Sequence, residues 1–372
     1  YRLKSADKIM DDILYYYNKY GITSFWFSHD AFTSNQKLVA QVCDKIIKEN
    51  IQITWKCSTR IDCLTEELVN QMIQAGCKSI TVGVETGSAR MQKIINKRLN
   101  LDYAKRMIVY LQEAGLSVGL YFMYGFPEET EEDLNQTLEL LFDFYELGVE
   151  RSTMELCHFS PATKMTIEHM DKLVLDTDFK VNFRDLFGYP DEVEMFRSNK
   201  AIFSTFYNLE TDLREKYQNL FYFNQIYQRY RTAMQFMRKY FNGDNLAMYA
   251  AFSDHITSLL GSGKISSDSI LNCIFDAVDN MNIPFAKQLK AMFAFERDVS
   301  RVKKSKTECF EKKVYDFSYL DYLERIPIDQ FSEYRTEFLI QKKDRYFTVE
   351  MRRLVHNSKF SGEGTSPPLK FM

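Results

Sequence analysis

Residues 1–157 repeat one alternation of apolar and polar positions. Amphipathic stretches at helical spacing end at Gly or Asn, and a short apolar run follows each at once. The stops are Gly21, Asn50, Gly76, Gly115 and Gly148. These residue types tolerate the left-handed conformation that commonly closes a helix. The runs that follow are Ile22–Ser28, Ile51–Cys57, Ser79–Val84, Ser117–Met123 and Val149–Cys157. Short, apolar and partly β-branched or aromatic, they read as buried strands. Hydroxyl residues mark the helix starts. Ser5 precedes the first, Thr65 precedes Glu66 and Glu67, and Thr130-Glu131-Glu132-Asp133 is a near capping box with Asp in place of Glu. The pattern predicts an α/β array of five parallel strands with helices outside, opening on a helix over residues 5–19.

After about residue 160 the alternation stops. Thr163–Arg197 has weak periodicity and holds the turn signal Gly188-Tyr189-Pro190. Residues 199–260 read as helical, with segments near Leu209–Tyr240 and Leu246–Leu260, and Ser266–Met281 and Pro284–Val299 as two further helices. Arg301–Lys313 carries six basic residues and reads as a solvated face, and Ser361–Pro368 as a loose tail. The expected organisation is 1–160, a helical and aromatic-rich 161–300, and a mixed charged 301–372. The 30 Phe and 23 Tyr are concentrated after residue 179. They are equally consistent with a plain core and with a pocket for a large ligand.

Composition narrows the functional classes. With 45% hydrophobic and 27% charged residues, the 372-residue chain has a globular balance. A net charge of -3 argues against a generalised nucleic-acid-binding surface. No run approaches the roughly 18 apolar residues of a membrane span. Seven thinly spread cysteines argue for a reducing, cytoplasmic setting without a disulfide framework. The start at Tyr1-Arg2-Leu3-Lys4 lacks an initiator Met, and no strand precedes the first helix. Both lead to the expectation that the chain begins inside a longer protein.

Parallel α/β arrays place ligands at the C-terminal ends of their strands. The residues at those ends are Ser28, His29 and Asp30; Ser58 and Arg60; Glu85 and Thr86; and Tyr124-Gly125-Phe126-Pro127-Glu128. Polar and ionisable groups recurring at one edge point to one ligand site. Glu85 emerges from a buried strand, so it accepts hydrogen bonds from a polar ligand, pairs with Arg60 one strand earlier, or does both, since an Arg–Glu pair can clamp a zwitterionic ligand. Met123, just before the Gly125 turn, is placed to offer its backbone to a flat heterocycle; an ordinary strand–helix turn would explain the same Gly and Pro. The histidines lack metal spacing, and no two cysteines lie two or three residues apart. No Walker A loop, GxGxxG after a strand or G-x-S-x-G elbow occurs.

Together these segments resemble the radical SAM enzymes, in particular the subgroup associated with a cobalamin-binding domain. Val82-Gly83-Val84-Glu85-Thr86-Gly87 resembles that family's "fGiEsG" stretch, and Phe27-Ser28-His29-Asp30-Ala31-Phe32 its "f-x-D-D-n-F" strand end. Trp55-Lys56-Cys57-Ser58-Thr59-Arg60-Ile61-Asp62 resembles "w-x-c-x-x-R-x-d", and Ala75-Gly76-Cys77 "aGc". Tyr124-Gly125-Phe126-Pro127-Glu128-Glu129-Thr130 resembles "x-G-f-P-g-E-t". The departures are three. CxxxCxxC is absent, His29 stands where the first Asp of a pair is usual, and Glu129, not Gly, follows Glu128.

The resemblance implies a partial (β/α)6 barrel lacking its first strand, followed by a mostly helical C-terminal region. It implies S-adenosylmethionine and a [4Fe-4S] cluster as cofactors, possible cobalamin use, and reductive cleavage to a 5′-deoxyadenosyl radical. The candidate cofactor-binding residues are Asp30, Ser58, Arg60, Glu85, Met123 and Gly125. Glu85 would contact the methionine or ribose portion, Arg60 the carboxylate and Asp30 the amino group, while the Met123 backbone would meet adenine. No metal ligand is assigned, because the cluster cysteines are expected upstream, and the chain alone is expected to be inactive without them. A peptide, natural product or cofactor precursor would be the substrate, and a flavodoxin or ferredoxin the electron donor, with no nucleic acid or membrane partner. Two alternatives stand beside this reading. One is a degenerate, cluster-free half-barrel that binds a peptide or partner. The other is an aldolase-like barrel with Lys56 as a Schiff-base candidate, although Lys56 is expected to point to the strand's other face.

Overall fold

The computed structural model describes residues 4–28, 31–149, 151–176, 190–263, 265–304, 310–315, 341–343 and 346–352. It divides into two units, Tyr1–Phe221 and Tyr222–Met372.

In the first unit, α1 (Ala6–Tyr20) leads directly into β1 (Ser24–Phe27). The alternation then runs α2 (Gln36–Lys48), β2 (Thr54–Thr59), α3 (Glu66–Gln74), β3 (Cys77–Glu85), α4 (Ala89–Ile94), α5 (Leu101–Glu113), β4 (Ser117–Tyr124), α6 (Glu131–Glu146) and β5 (Arg151–Leu156). The five strands form one parallel sheet in the order β1-β2-β3-β4-β5, as the sequence pattern predicts. Each of the five expected stops has positive φ: Gly21 at 65°, Asn50 at 48°, Gly76 at 92°, Gly115 at 82° and Gly148 at 93°. The hydroxyl caps also form. Ser5 accepts from the amide of Lys8, Thr65 from Leu68 and Thr130 from Asp133, and Asp133 returns the bond to complete a capping box.

Sequential strand order with right-handed crossovers puts the crossover helices on one side of the sheet. That side is the core. Trp55 and Cys57 of β2, Ile80, Val82 and Val84 of β3, Leu120 and Phe122 of β4 and Met154 of β5 are all buried. The alternate positions face the other way and are polar or exposed. Trp26 is 60% exposed and Tyr121 44%, while Thr81, Thr153 and Glu155 are half-buried. Parallel sheets usually have both faces covered. Within the first unit one face is largely open.

Beyond β5 come α7 (Lys164–His169), β6 (Leu173–Leu175), α8 (Pro190–Ser198), β7 (Tyr207–Leu209) and α9 (Asp212–Lys216). β6 and β7 pair antiparallel. Residues 207–209, read from sequence as the edge of a helical region, are strand because Tyr207 and Leu209 pack with Phe159 and Leu173 in a satellite core. That long-range packing overrides local propensity.

The second unit is chiefly helical, as expected, with α11 (Arg231–Tyr240), α12 (Asn245–Gly261), α13 (Ser267–Asn280) and α14 (Ala286–Lys304) after α10 (Leu220–Arg229). Its aromatic rings pack on one another. Phe223 meets Tyr249 edge-on at 5.5 Å, and Tyr230 meets Phe293 at 5.5 Å. The half-buried Glu296 carboxylate accepts from the amides of Thr232 and Ala233 at the start of α11. A small antiparallel sheet follows, with β8 (Phe310–Tyr315) and β9 (Gln341–Lys343) on either side of β10 (Tyr346–Arg352). The expected turn at Gly188-Tyr189 and the tail Ser361–Pro368 lie outside the described residues. No helix of the described residues is long and apolar enough to cross a membrane.

Candidate functional site

The strand register brings the sequence-predicted site residues to one edge. Trp26 lies beside Lys56, Ser58 beside Thr81, Gly83 beside Tyr121, and Met123 beside Glu155. All belong to the open face. Ser58, Arg60, Glu85 and Met123 are partly exposed at its C-terminal end, and Gly125 is buried just beyond β4 with φ 76°. Asp30 and His29 lie outside the described residues. Lys56, expected on the strand's other face, is on this open face with its ammonium 4.6 Å from the Trp26 ring centroid. It is exposed rather than set in the desolvated pocket that activates a Schiff-base lysine.

Glu85 is the most constrained of these residues. Its φ is 69°, a left-handed conformation costly for a side chain of this kind, and the β3–β4 register shifts between Gly83 and Glu85. The pairing with Arg60 weighed from sequence does not occur. Lys97, at the end of the α4 turn, donates to Glu85 Oε1 at 2.5 Å. Arg60 instead forms a two-pronged bond to Asp62, at 3.0 and 2.7 Å, and donates to the backbone carbonyl of Lys97 at 3.0 Å. Asp62 wins because it lies two residues away in the same 3-10 turn, where a fork-shaped guanidinium meets a carboxylate in plane. The resulting chain Asp62–Arg60–Lys97–Glu85 links the ends of β2 and β3.

The segment after Glu85 is locked from behind. Gln92 donates to the carbonyls of Val84 and Thr86, each at 2.8 Å, and accepts from the amide of Leu99. Thr86 and Thr137 share a buried hydroxyl contact of 2.9 Å. Ser88 donates to Asp133 at 2.5 Å, and Arg90 also binds that carboxylate. Burial works to raise the Asp133 carboxyl, but Arg90, Ser88 and Thr130 outweigh it and hold the group well below the usual carboxylate range.

A second network holds the Gly125 turn. Glu129, counted from sequence as a departure although it aligns with the E of x-G-f-P-g-E-t, is a buried carboxyl whose Oε2 accepts from the amides of Gly125 and Phe126. Its Oε1 is buried without a partner. Burial pushes this carboxyl up to about 7, against the opposing pull of the two amides. Arg214, 89 residues further on, donates to the carbonyl of Gly125 at 2.6 Å and also binds the carbonyl of Cys157 and the side chain of Asn208. Both polar backbone groups of Gly125 are therefore engaged within the chain. Its contribution is the shape of the turn.

Lys97 and Arg214 escaped sequence reasoning, and Glu129 entered it only as a motif position. Lys97 sits in Asn96-Lys97-Arg98, which looks like an ordinary solvated connection between helices. Only its proximity to Glu85 in the fold singles it out.

The described cysteines do not fit an iron–sulfur cluster. Cys43, Cys57, Cys77, Cys157 and Cys273 are buried, and Cys63 is half-buried. Burial pushes the thiols of Cys43 and Cys157 up to about 12, whereas ligation needs thiolates. Among the described residues no three His, Cys, Asp or Glu side chains are grouped to hold a metal ion. The described residues do not supply a cluster's anchors.

Comparison with known proteins gives the same family as the motifs. Residues 1–141 match the Radical SAM superfamily. An uncharacterized methyltransferase of Pyrococcus horikoshii is 27% identical over 139 residues, covering 37% of this chain and 30% of that protein. The anaerobic magnesium-protoporphyrin IX monomethyl ester cyclase of Rubrivivax gelatinosus is 25% identical over 146 residues, covering 39% and 26%. A solved radical S-adenosylmethionine methyltransferase from Kitasatospora setae, with cobalamin and a [4Fe-4S] cluster bound, superposes with a TM-score of 0.41 at 17% identity, over 45% of this chain and 34% of that one. The chain spans less than a third of the length of these curated relatives. With its helix-stop glycines, its five parallel strands and its Val82–Gly87 and Gly125–Thr130 segments, the domain of residues 1–141 belongs to the radical SAM superfamily.

Proposed function

We propose that the open face and C-terminal edge of the five-stranded sheet bind S-adenosylmethionine, and that the chain serves a radical SAM enzyme that modifies a small molecule or peptide. The observation carrying this reading is the convergence of Ser58, Arg60, Glu85 and Met123 on one edge of an uncovered parallel-sheet face. A polar lining at strand ends suits a nucleoside carrying charged groups, and a parallel sheet rarely leaves such a face empty. Bound there, S-adenosylmethionine would supply a sulfonium poised for reductive cleavage. This chain's residues would bind and orient it. The cluster that such chemistry requires needs thiolates from outside the described residues. The methyltransferase among the relatives supports methyl transfer as the outcome.

Calorimetric titration with S-adenosylhomocysteine tests the reading. Saturable binding that weakens in Glu85→Ala is expected. No binding refutes the site, and unchanged affinity in Glu85→Ala removes that residue's role. The second reading is a cluster-free half-barrel that binds a peptide or partner. It predicts no iron–sulfur absorbance after anaerobic reconstitution of the full-length gene product.

A further inference from the structure

Four observations converge on Lys97. First, its side chain and that of Glu85 are 13% and 18% exposed, so their 2.5 Å ion pair is largely withdrawn from solvent. Second, the pair fills the space over Gly83. A Cβ there would lie 2.3 Å from Glu85 Oε1 and 2.8 Å from Lys97 Nζ, so the carboxylate folds back along its own strand only because position 83 has no side chain. Third, Lys97 is flanked by two left-handed residues, Asn96 at φ 54° and Arg98 at φ 54°. For the long side chain of Arg98 this conformation is costly and persists only where surrounding bonds impose it. Gln92 supplies those bonds, because its backbone carbonyl accepts from Arg98 and its side chain ties Leu99 to the end of β3. Fourth, Glu85 Oε2 has no partner among the described residues, whereas Oε1 is taken by Lys97.

From these we propose that Lys97 is a positioning residue for the ligand site. It holds Glu85 folded over Gly83, compensates its charge, and leaves Oε2 facing the open site as an acceptor for a neutral hydroxyl pair. This rests on the nucleoside-binding reading above and extends it. An uncompensated carboxylate at a strand end would favour a cationic ammonium. One already neutralised by an ammonium 2.5 Å away gives a second cation little attraction and suits a neutral diol. The Asp62–Arg60–Lys97 connection holds this arrangement from the neighbouring strand through the Lys97 carbonyl, and the ammonium needs no contact with the ligand.

The test is calorimetric titration of the 372-residue chain with S-adenosylhomocysteine, which carries both a diol and an ammonium, and with adenosine, which carries the diol alone. Lys97→Met is expected to weaken both by about tenfold, the scale of one charge-assisted hydrogen bond lost from its geometry. In a Glu85→Gln background, Lys97→Met should cost nothing further, because its action passes through Glu85. Gly83→Ala keeps every charge and displaces the pair, so it should reproduce the loss; it carries the test should Lys97→Met fail to fold. Unchanged binding in Lys97→Met or in Gly83→Ala overturns the proposal. So does an undiminished Lys97→Met effect in the Glu85→Gln background, or weakening confined to S-adenosylhomocysteine. If the unaltered chain binds neither probe, the nucleoside-binding reading falls and this proposal falls with it.

Discussion

The Glu129 carboxyl gives the first unit a measurable pH dependence. In the fold this group is pushed from 4.5 up to about 7 by burial, despite two backbone amides that favour its charged form. A raised carboxyl is neutral in the fold at pH values where the unfolded chain has already ionised it. Folding therefore carries no penalty from this group below about pH 4.5, a growing one as pH rises, and the full penalty above about pH 7. The displacement corresponds to a cost on the order of 3 kcal/mol at the alkaline end. Glu129→Gln keeps an oxygen for the amides of Gly125 and Phe126 and cannot ionise. Its constant cost is the amide group left at the site where Oε1 has no partner. The stability of Glu129→Gln relative to the unaltered protein should therefore improve by about 3 kcal/mol between roughly pH 4.5 and pH 8. Both tryptophans, Trp26 and Trp55, lie in the first unit, so urea unfolding followed by tryptophan fluorescence reads this unit directly. A difference that stays flat across that range would refute the assignment of a buried, neutral carboxyl beneath the Gly125 turn.

Two further outcomes follow from the same networks. Arg214→Leu leaves the carbonyls of Gly125 and Cys157 and the side chain of Asn208 without their shared donor, and should cost roughly 3–5 kcal/mol in the same urea assay; a loss below about 1 kcal/mol would show that the clamp is dispensable. Asp133 is held below its ordinary 3.8, so its contribution is complete above that pH and fades as the folded carboxyl takes up its proton. Asp133→Asn should therefore narrow its stability gap from the unaltered protein on acidification below about pH 4, and a gap that widens would contradict the network with Arg90, Ser88 and Thr130.

Much of the first unit is legible in the sequence, for reasons that operate locally. Helix stops need a backbone that accepts positive φ, and all five Gly and Asn punctuation points have it. Strand faces alternate with period two, so the edge on which Ser58 and Glu85 emerge follows from the runs themselves. A bond between Arg60 and Glu85 was plausible on the same grounds, because their strands are neighbours and their charges opposite. It fails because Asp62 offers Arg60 a closer fork and the shift in register at Glu85 turns that carboxylate back toward Lys97.

What periodicity by itself determined is the order of strands and the edge that carries the polar tips, since both follow from dihedral preferences and side-chain alternation over a few residues. Only the tertiary structure decided that Lys97 neutralises Glu85, that Glu129 is buried beneath the Gly125 turn, and that Arg214 clamps that turn from 89 residues away. The physical reason is that burial and ion pairing depend on which groups exclude water from one another, and groups far apart in the chain meet only when the whole fold has closed around them.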